Sequence, residues 1–158
     1  RHQQLDRDAF GPEDRGAFER CIMGFNAGPP MNPSAYNNNM QLFQTPDHVV
    51  IFNEMVHDSR VIPLDGAPHL PTHVRQWKGD SRGYWEGSML VVETKNFTDK
   101  TGFRGTGPNM HLVERFTRVD PETLMYEYTI TDAESFAQPW SVRVAMRRSD
   151  TCLRIRVS

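Results

Sequence analysis

The sequence predicts a mainly β fold, an antiparallel meander that closes into a lipocalin-like (calycin-like) β-barrel or packs as a sandwich with long irregular loops. Residues 40–148 break into roughly eight short runs of alternating apolar and polar residues, each bounded by Gly, Pro, Asn or Asp. No segment holds a helical period over the length that a crossover between parallel strands needs, so the strands run antiparallel. Closing such a meander removes its exposed edges, which favours a barrel.

Residues 1–39 read as an irregular N-terminal wrap. Positions 1–20 are charged and follow neither period, although a short helix over 12–20 is compatible with them. The stretch CIMGFNAGPPMNPSAYNNN, residues 21–39, is dense in residues that favour turns over ladders. A loop of that length in a compact domain is functional or covers something. From Met40 the β domain, residues 40–150, begins with MQLFQT, HVVIFNEMVHD after a Pro46–Asp47 turn, and SRVIPL ended by Asp65–Gly66. A second loop, 64–80, carries Pro68 and Pro71. RGYWEG and SMLVVETKNF then form a hairpin around Glu86–Gly87. A Gly-rich connection leads to MHLVERFTRV, a DPET turn, LMYEYTIT, a loop with Pro139, and WSVRVAMRR. Residues 151–158 form an atypical C-terminal tail.

Alternation sorts the side chains of these strands. In MHLVERFTRV, Met110, Leu112, Glu114, Phe116 and Arg118 share one face, while His111, Val113, Arg115 and Thr117 share the other. Buried charges need partners, so faces that mix charged and large apolar groups suggest either a polar-lined cavity or strand ends reaching solvent.

Composition narrows the function classes. A chain of 158 residues holds one core and no second full domain. Its apolar runs are too short to span a membrane. The 18 basic and 20 acidic residues are interspersed, without the basic stripe of a nucleic-acid binder. Cys21 and Cys152 allow at most one disulfide and match no metal-ligand spacing; whether they pair is open. The chain starts at Arg1 with no signal-like segment, so it reads as a trimmed piece of something longer.

Three groups could carry chemistry: Glu54, His57, Asp58 and Arg60; His69 and His73; and His111, Glu114 and Arg115. A His beside a carboxylate serves as general acid or base, and an Arg holds developing negative charge. Cross-strand polar networks produce the same sets without catalysis. His57, His69 and His111 supply the donor types of a divalent metal site, although no cofactor is required by the sequence. Trp77, Tyr84, Trp85 and Trp140 serve either core packing or ligand stacking, with Arg60 as a polar anchor. Neither a nucleophile elbow nor a phosphate loop is present.

The strings RQWKGDSRGYWEGSMLVVETKNFTDKT, MHLVERFTRVDPETLMYEYTI and AYNNNMQLFQT together resemble a large family of secreted bacterial proteins of unestablished activity. The resemblance runs from about Cys21 to Asp150. It implies a periplasmic or extracellular location, a removed signal peptide and a further upstream region. Positions recurring in the family include Asp65, His69, Trp77, Gly79, Ser81, Gly83, Trp85, Glu86, Gly87, Asn96, His111, Glu114 and Arg115. Related proteins continue beyond the position of Asp150 with a segment like YEYACHEGNYG, where this chain has TCLRIRVS. Codons for Tyr-Glu-Tyr-Ala-Cys-His, read out of frame, spell the residues from Leu153 to Ser158, so a frameshift explains the tail. That departure removes the family's Cys-His-Glu triplet, and with it an implied disulfide partner for Cys21.

These readings lead to a secreted hydrolase or lyase acting on a carbohydrate or aromatic glycoside, with His111, Glu114, Arg115, His57 and Glu54 as the catalytic set. The alternatives are a small-ligand-binding barrel, in which Trp77, Trp85 and Trp140 stack the ligand, and an interaction module that meets a partner or a second copy of itself through the wrap.

Overall fold

The computed structural model describes residues 11–100 and 103–149. Among these residues eight strands form two open antiparallel sheets. The first holds β1 (Met40–Gln44), β2 (His48–Asn53) and β3 (Ser59–Pro63); the second holds β4 (Asp80–Glu86), β5 (Met89–Lys95), β6 (His111–Asp120), β7 (Thr123–Thr131) and β8 (Trp140–Arg147), each in sequence order. Short turns join most neighbours. Gly87 sits at φ +61° in the β4–β5 hairpin, a left-handed conformation that glycine adopts without steric cost.

The predicted barrel does not form. β3 makes no ladder with β4, and β8 makes none with β1, so neither sheet closes and the two face each other in a sandwich-like arrangement. A period of two is common to a barrel and to facing sheets. The difference lies in the 64–79 loop, which ends the first meander before the second starts. That loop is tied down at its far end, where Gln76 N–H donates to Asn96 O and Thr98 N–H donates to Gln76 O.

One core fills the space between the sheets. Val49, Ile51 and Ile62 pack against Leu90, Val92, Leu112, Phe116, Tyr126, Tyr128 and Ile130. Full burial of such side chains stabilises by about 1.5–3 kcal/mol each. The sheets approach closely on the β3–β4 side, where a Cβ at Gly83 would lie 2.8 Å from Leu64 Cδ2 and 2.9 Å from Ile62 Cγ2. On the opposite side they gape. The inward residues of β8, Trp140, Val142, Val144 and Met146, are only half-buried there.

The wrap partly fills this open side. Met31 is buried and its N–H donates to Tyr126 Oη at 3.0 Å, while Tyr128 Oη donates to Asn32 Oδ1 at 2.9 Å. Asn26 organises the wrap itself. Its Nδ2 lies within 2.8–3.2 Å of four oxygens: Ser34 Oγ, Tyr36 O, Asn37 O and Asn38 Oδ1.

Two local expectations also change. The segment 12–20 holds a single 3-10 turn, Pro12–Asp14, and continues in turns rather than a helix. Gly16 interrupts it, and no apolar stripe supplies a face to bury. HVVIFNEMVHD is one strand only to Asn53. It then turns through Met55–His57, with Val56 and His57 at φ 51° and 52°, and Asn53 N–H donates to Asp58 O to close the loop. Burial of Met55 holds that turn against the core. The tail, 151–158, and its Cys152 lie outside the described residues; Cys21 is exposed.

Candidate functional site

Strand alternation on β6 separates the residues expected to act together. Leu112, Glu114 and Phe116 point into the core, whereas His111, Val113 and Arg115 point to the outer face. Glu114 is fully buried. Its Oε2 and Oε1 accept from Arg60 Nη1 and Nη2 at 2.6 and 3.0 Å, a bidentate pair, and Oε1 also accepts from Tyr126 Oη at 2.7 Å. Burial works against the Arg60 charge, but Glu114 outweighs it and holds the guanidinium pKa above its ordinary value. Burial, reinforced by Glu114, raises the Tyr126 phenol well above its own. A carboxylate sealed by two partners between the sheets joins those sheets; it does not meet substrate. The expected polar-lined cavity around Glu114 is therefore an ion pair.

The outer face of the larger sheet carries a second set. His111 Nε2 stands 3.5 Å from Glu93 Oε2, which is also 3.5 Å from Lys95 Nζ. Desolvation lowers the His111 pKa below its ordinary value, Lys95 and His69 lower it further, and Glu93 opposes them. His69 Nδ1 lies 3.0 Å from Asp80 Oδ2, which also accepts from Leu70 N–H at 2.9 Å. Arg82 Nη2 lies 3.3 Å from Asp80 Oδ1. Arg115 stands directly opposite Glu127. These groups form a charge-alternating ladder across the outer sheet face, partly covered by the 64–79 loop: Asp80 is buried, and His111 Nε2 is shielded from solvent.

The other candidates lie apart. Glu54 is exposed and accepts from Asn39 N–H and Nδ2 at 3.2 and 2.9 Å, fixing the wrap to the β2–β3 turn. His57 is exposed on that same turn. Among the described residues no group of three His, Cys, Asp or Glu could hold a metal ion, so His57, His69 and His111 do not form a ligand set. Nor do the aromatics converge. Trp140 packs against Phe103, Tyr128 and Phe136. Tyr84 and Trp85 point to opposite faces of β4, each more than two-fifths exposed. Trp77 borders a shallow depression beside Arg75 and Lys100.

A cleft unforeseen in the sequence lies on the open side of the sandwich. Its volume is about 420 Å³, and it is bounded by the wrap, by Met40 and Leu42 of β1, by the β6–β7 turn and by Val144 to Arg147 of β8. Amides crowd one wall, from Asn26, Asn32, Asn37, Asn38, Asn39 and Asn53; Met31, Met40, Leu124, Val144 and Met146 form an apolar floor; Arg118 and Arg147 reach its rim. The density of Asn in 26–39 is the sequence signal that could have found it. It reads as turn chemistry until the wrap is seen folded over β7.

No family model, curated protein or solved structure matches this chain. Among the described residues no helix is long and apolar enough to cross a membrane.

Proposed function

We propose that this protein is a non-catalytic binding module, exported to the periplasm or beyond, that captures a small amphipathic ligand of carbohydrate type in the cleft between wrap and β8. The observation that carries this reading is the cleft itself. Its volume of about 420 Å³ lies within the ordinary range of small-molecule sites, and it is lined both by apolar side chains and by amides, among which Asn26 Oδ1 has no partner among the described residues. Hydroxyl groups both donate and accept, as amides do, while the carbon face of a sugar ring suits methionine and leucine. The secreted family that the sequence resembles supports the location.

A hydrolase or lyase built on His111 and Glu114 is less well supported, because the two side chains leave β6 on opposite faces. The second reading is acid–base chemistry by His111 with Glu93 on the outer face, favoured by their 3.5 Å separation.

Thermal-shift and calorimetric titration against a panel of mono- and oligosaccharides tests the proposal. A ligand at a hundred times its Kd stabilises by about 2.7 kcal/mol. Leu42→Arg sets a long cation at the cleft mouth from a residue already 39% exposed, and abolishes the shift with the free protein's Tm unchanged. A panel with no binder, or binding indifferent to Leu42→Arg, overturns the reading. Glycoside turnover lost in His111→Asn supports acid–base chemistry instead.

A further inference from the structure

The larger sheet has a free edge at β8, which pairs only with β7 among the described residues. An unpaired edge presents a row of N–H and C=O groups to any extended segment that fits. Three features of β8 determine what fits. The strand is eight residues long, enough for a full ladder. Its inward residues Val142, Val144 and Met146 are half-buried, because the smaller sheet does not reach over them. Its outward residues include Arg143 and Arg147, both exposed.

We propose that β8 receives an extended acidic peptide as a sixth strand of the larger sheet, with alternate residues apolar. Main-chain hydrogen bonds supply affinity in this mode of recognition, and alternate side chains supply specificity. Apolar side chains of the incoming strand cover the exposed flanks of Val142, Val144 and Met146 and continue the core face. Acidic side chains on the other face stand directly across from Arg143 and Arg147, where opposite charges attract. The acids of the protein's own sheet lie further in. Glu127, on β7, pairs with Arg143 from behind at 2.9 Å, and Asp120 lies at the β6–β7 turn.

The same arginines argue against a second copy as the occupant. Two β8 strands paired antiparallel gather four arginines on one strip, and like charges across a ladder destabilise it. Cationic edges guard sheets against self-association in this way. An acidic segment meets no such barrier. This site borders the cleft, sharing Val144, Met146 and Arg147 with it, but it rests on the outer edge of β8 and not on the amide wall that carries the saccharide reading.

The test is fluorescence polarisation of the full chain with three labelled octapeptides. The first alternates Glu with Val or Leu, the second has Lys in place of Glu, and the third keeps Glu but has Pro at the apolar positions. Saturable binding of the first peptide alone is the expected result, because Lys reverses the charge match and Pro removes the N–H groups a ladder needs. The double variant Arg143→Glu with Arg147→Glu, both at exposed positions, weakens the first peptide about tenfold and admits the second. Equal binding of the first and third peptides overturns strand addition and leaves simple charge attraction. Binding by none of them reduces the arginines to guards of an edge. A saccharide thermal shift that persists alongside either negative outcome separates the failure of this site from that of the cleft.

Discussion

Replacing Glu114 by glutamine leaves shape and volume almost unchanged but strands the Arg60 guanidinium, charged and 8% exposed, between two sheets. Removing one member of a buried ion pair costs about 3–5 kcal/mol, because the remaining charge loses its compensation. At about 2–4 °C per kcal/mol for a domain of this size, Glu114→Gln lowers Tm by about 6–20 °C. Tyr126→Phe costs less, about 1–3 kcal/mol. It removes the hydroxyl that donates to Glu114 Oε1 and leaves the Met31 N–H without its acceptor. The double replacement Arg60→Met with Glu114→Leu recovers most of the loss, since an apolar pair of similar volume avoids desolvating two charges. Calorimetry and urea unfolding of the three variants beside the parent measure all of this. A Glu114→Gln protein melting within about 2 °C of the parent refutes the reasoning, because it means that water reaches Arg60. So does a double variant no more stable than the single.

Gly79→Ala is expected to cost several kcal/mol, about 1–2 of them from the left-handed backbone at φ +68° and the rest from a Cβ placed 2.6 Å from Lys95 O and 2.7 Å from Thr94 Cγ2. Gly87→Ala, at φ +61° with open space around it, pays the backbone term alone, so urea midpoints rank the two. The His111 ring titrates below the ordinary imidazole value in an NMR pH series, and a midpoint at or above it contradicts the lowering by burial and Lys95. The unfolded chain therefore binds that proton more readily, and His111 reduces stability as pH falls from the ordinary value towards the folded one; His111→Gln flattens this part of the stability curve. Asp132 acts in the same direction, in the carboxylate range. Burial raises its pKa, but Gly107 N–H, Ser135 and Glu134 N–H more than offset that and hold it low. Its stabilisation is present above the unfolded carboxylate value and lost as pH falls through the folded one, a dependence that Asp132→Asn removes from acid-unfolding curves.

Strand positions were legible because turn chemistry and alternation coincide. The hairpin at Glu86–Gly87 and the ladder from His111 through Arg147 follow directly from runs that Gly, Pro and Asp punctuate. The turn after Asn53 was not legible. Val56 is β-branched and takes a left-handed conformation without any glycine to announce it, and burial of Met55 overrides local preference there. Sheet closure was illegible for another reason, since whether β8 meets β1 depends on the path of the 64–79 loop rather than on any strand's own pattern. In the candidate set, alternation already placed His111 and Glu114 on opposite faces. The partners of Glu114 lie 54 and 12 positions away, and only tertiary structure brings them together.

The single amide of Asn26 touches oxygens from four successive parts of residues 34–38. Such a hub makes local opening all-or-none, because no one contact can be released while the others hold the same side chain. Amides of this stretch that depend on the hub are therefore expected to exchange with deuterium at a common rate rather than fraying one by one. The wrap then behaves as one hinged flap, and the rate at which it lifts sets how fast anything enters or leaves the space beneath it.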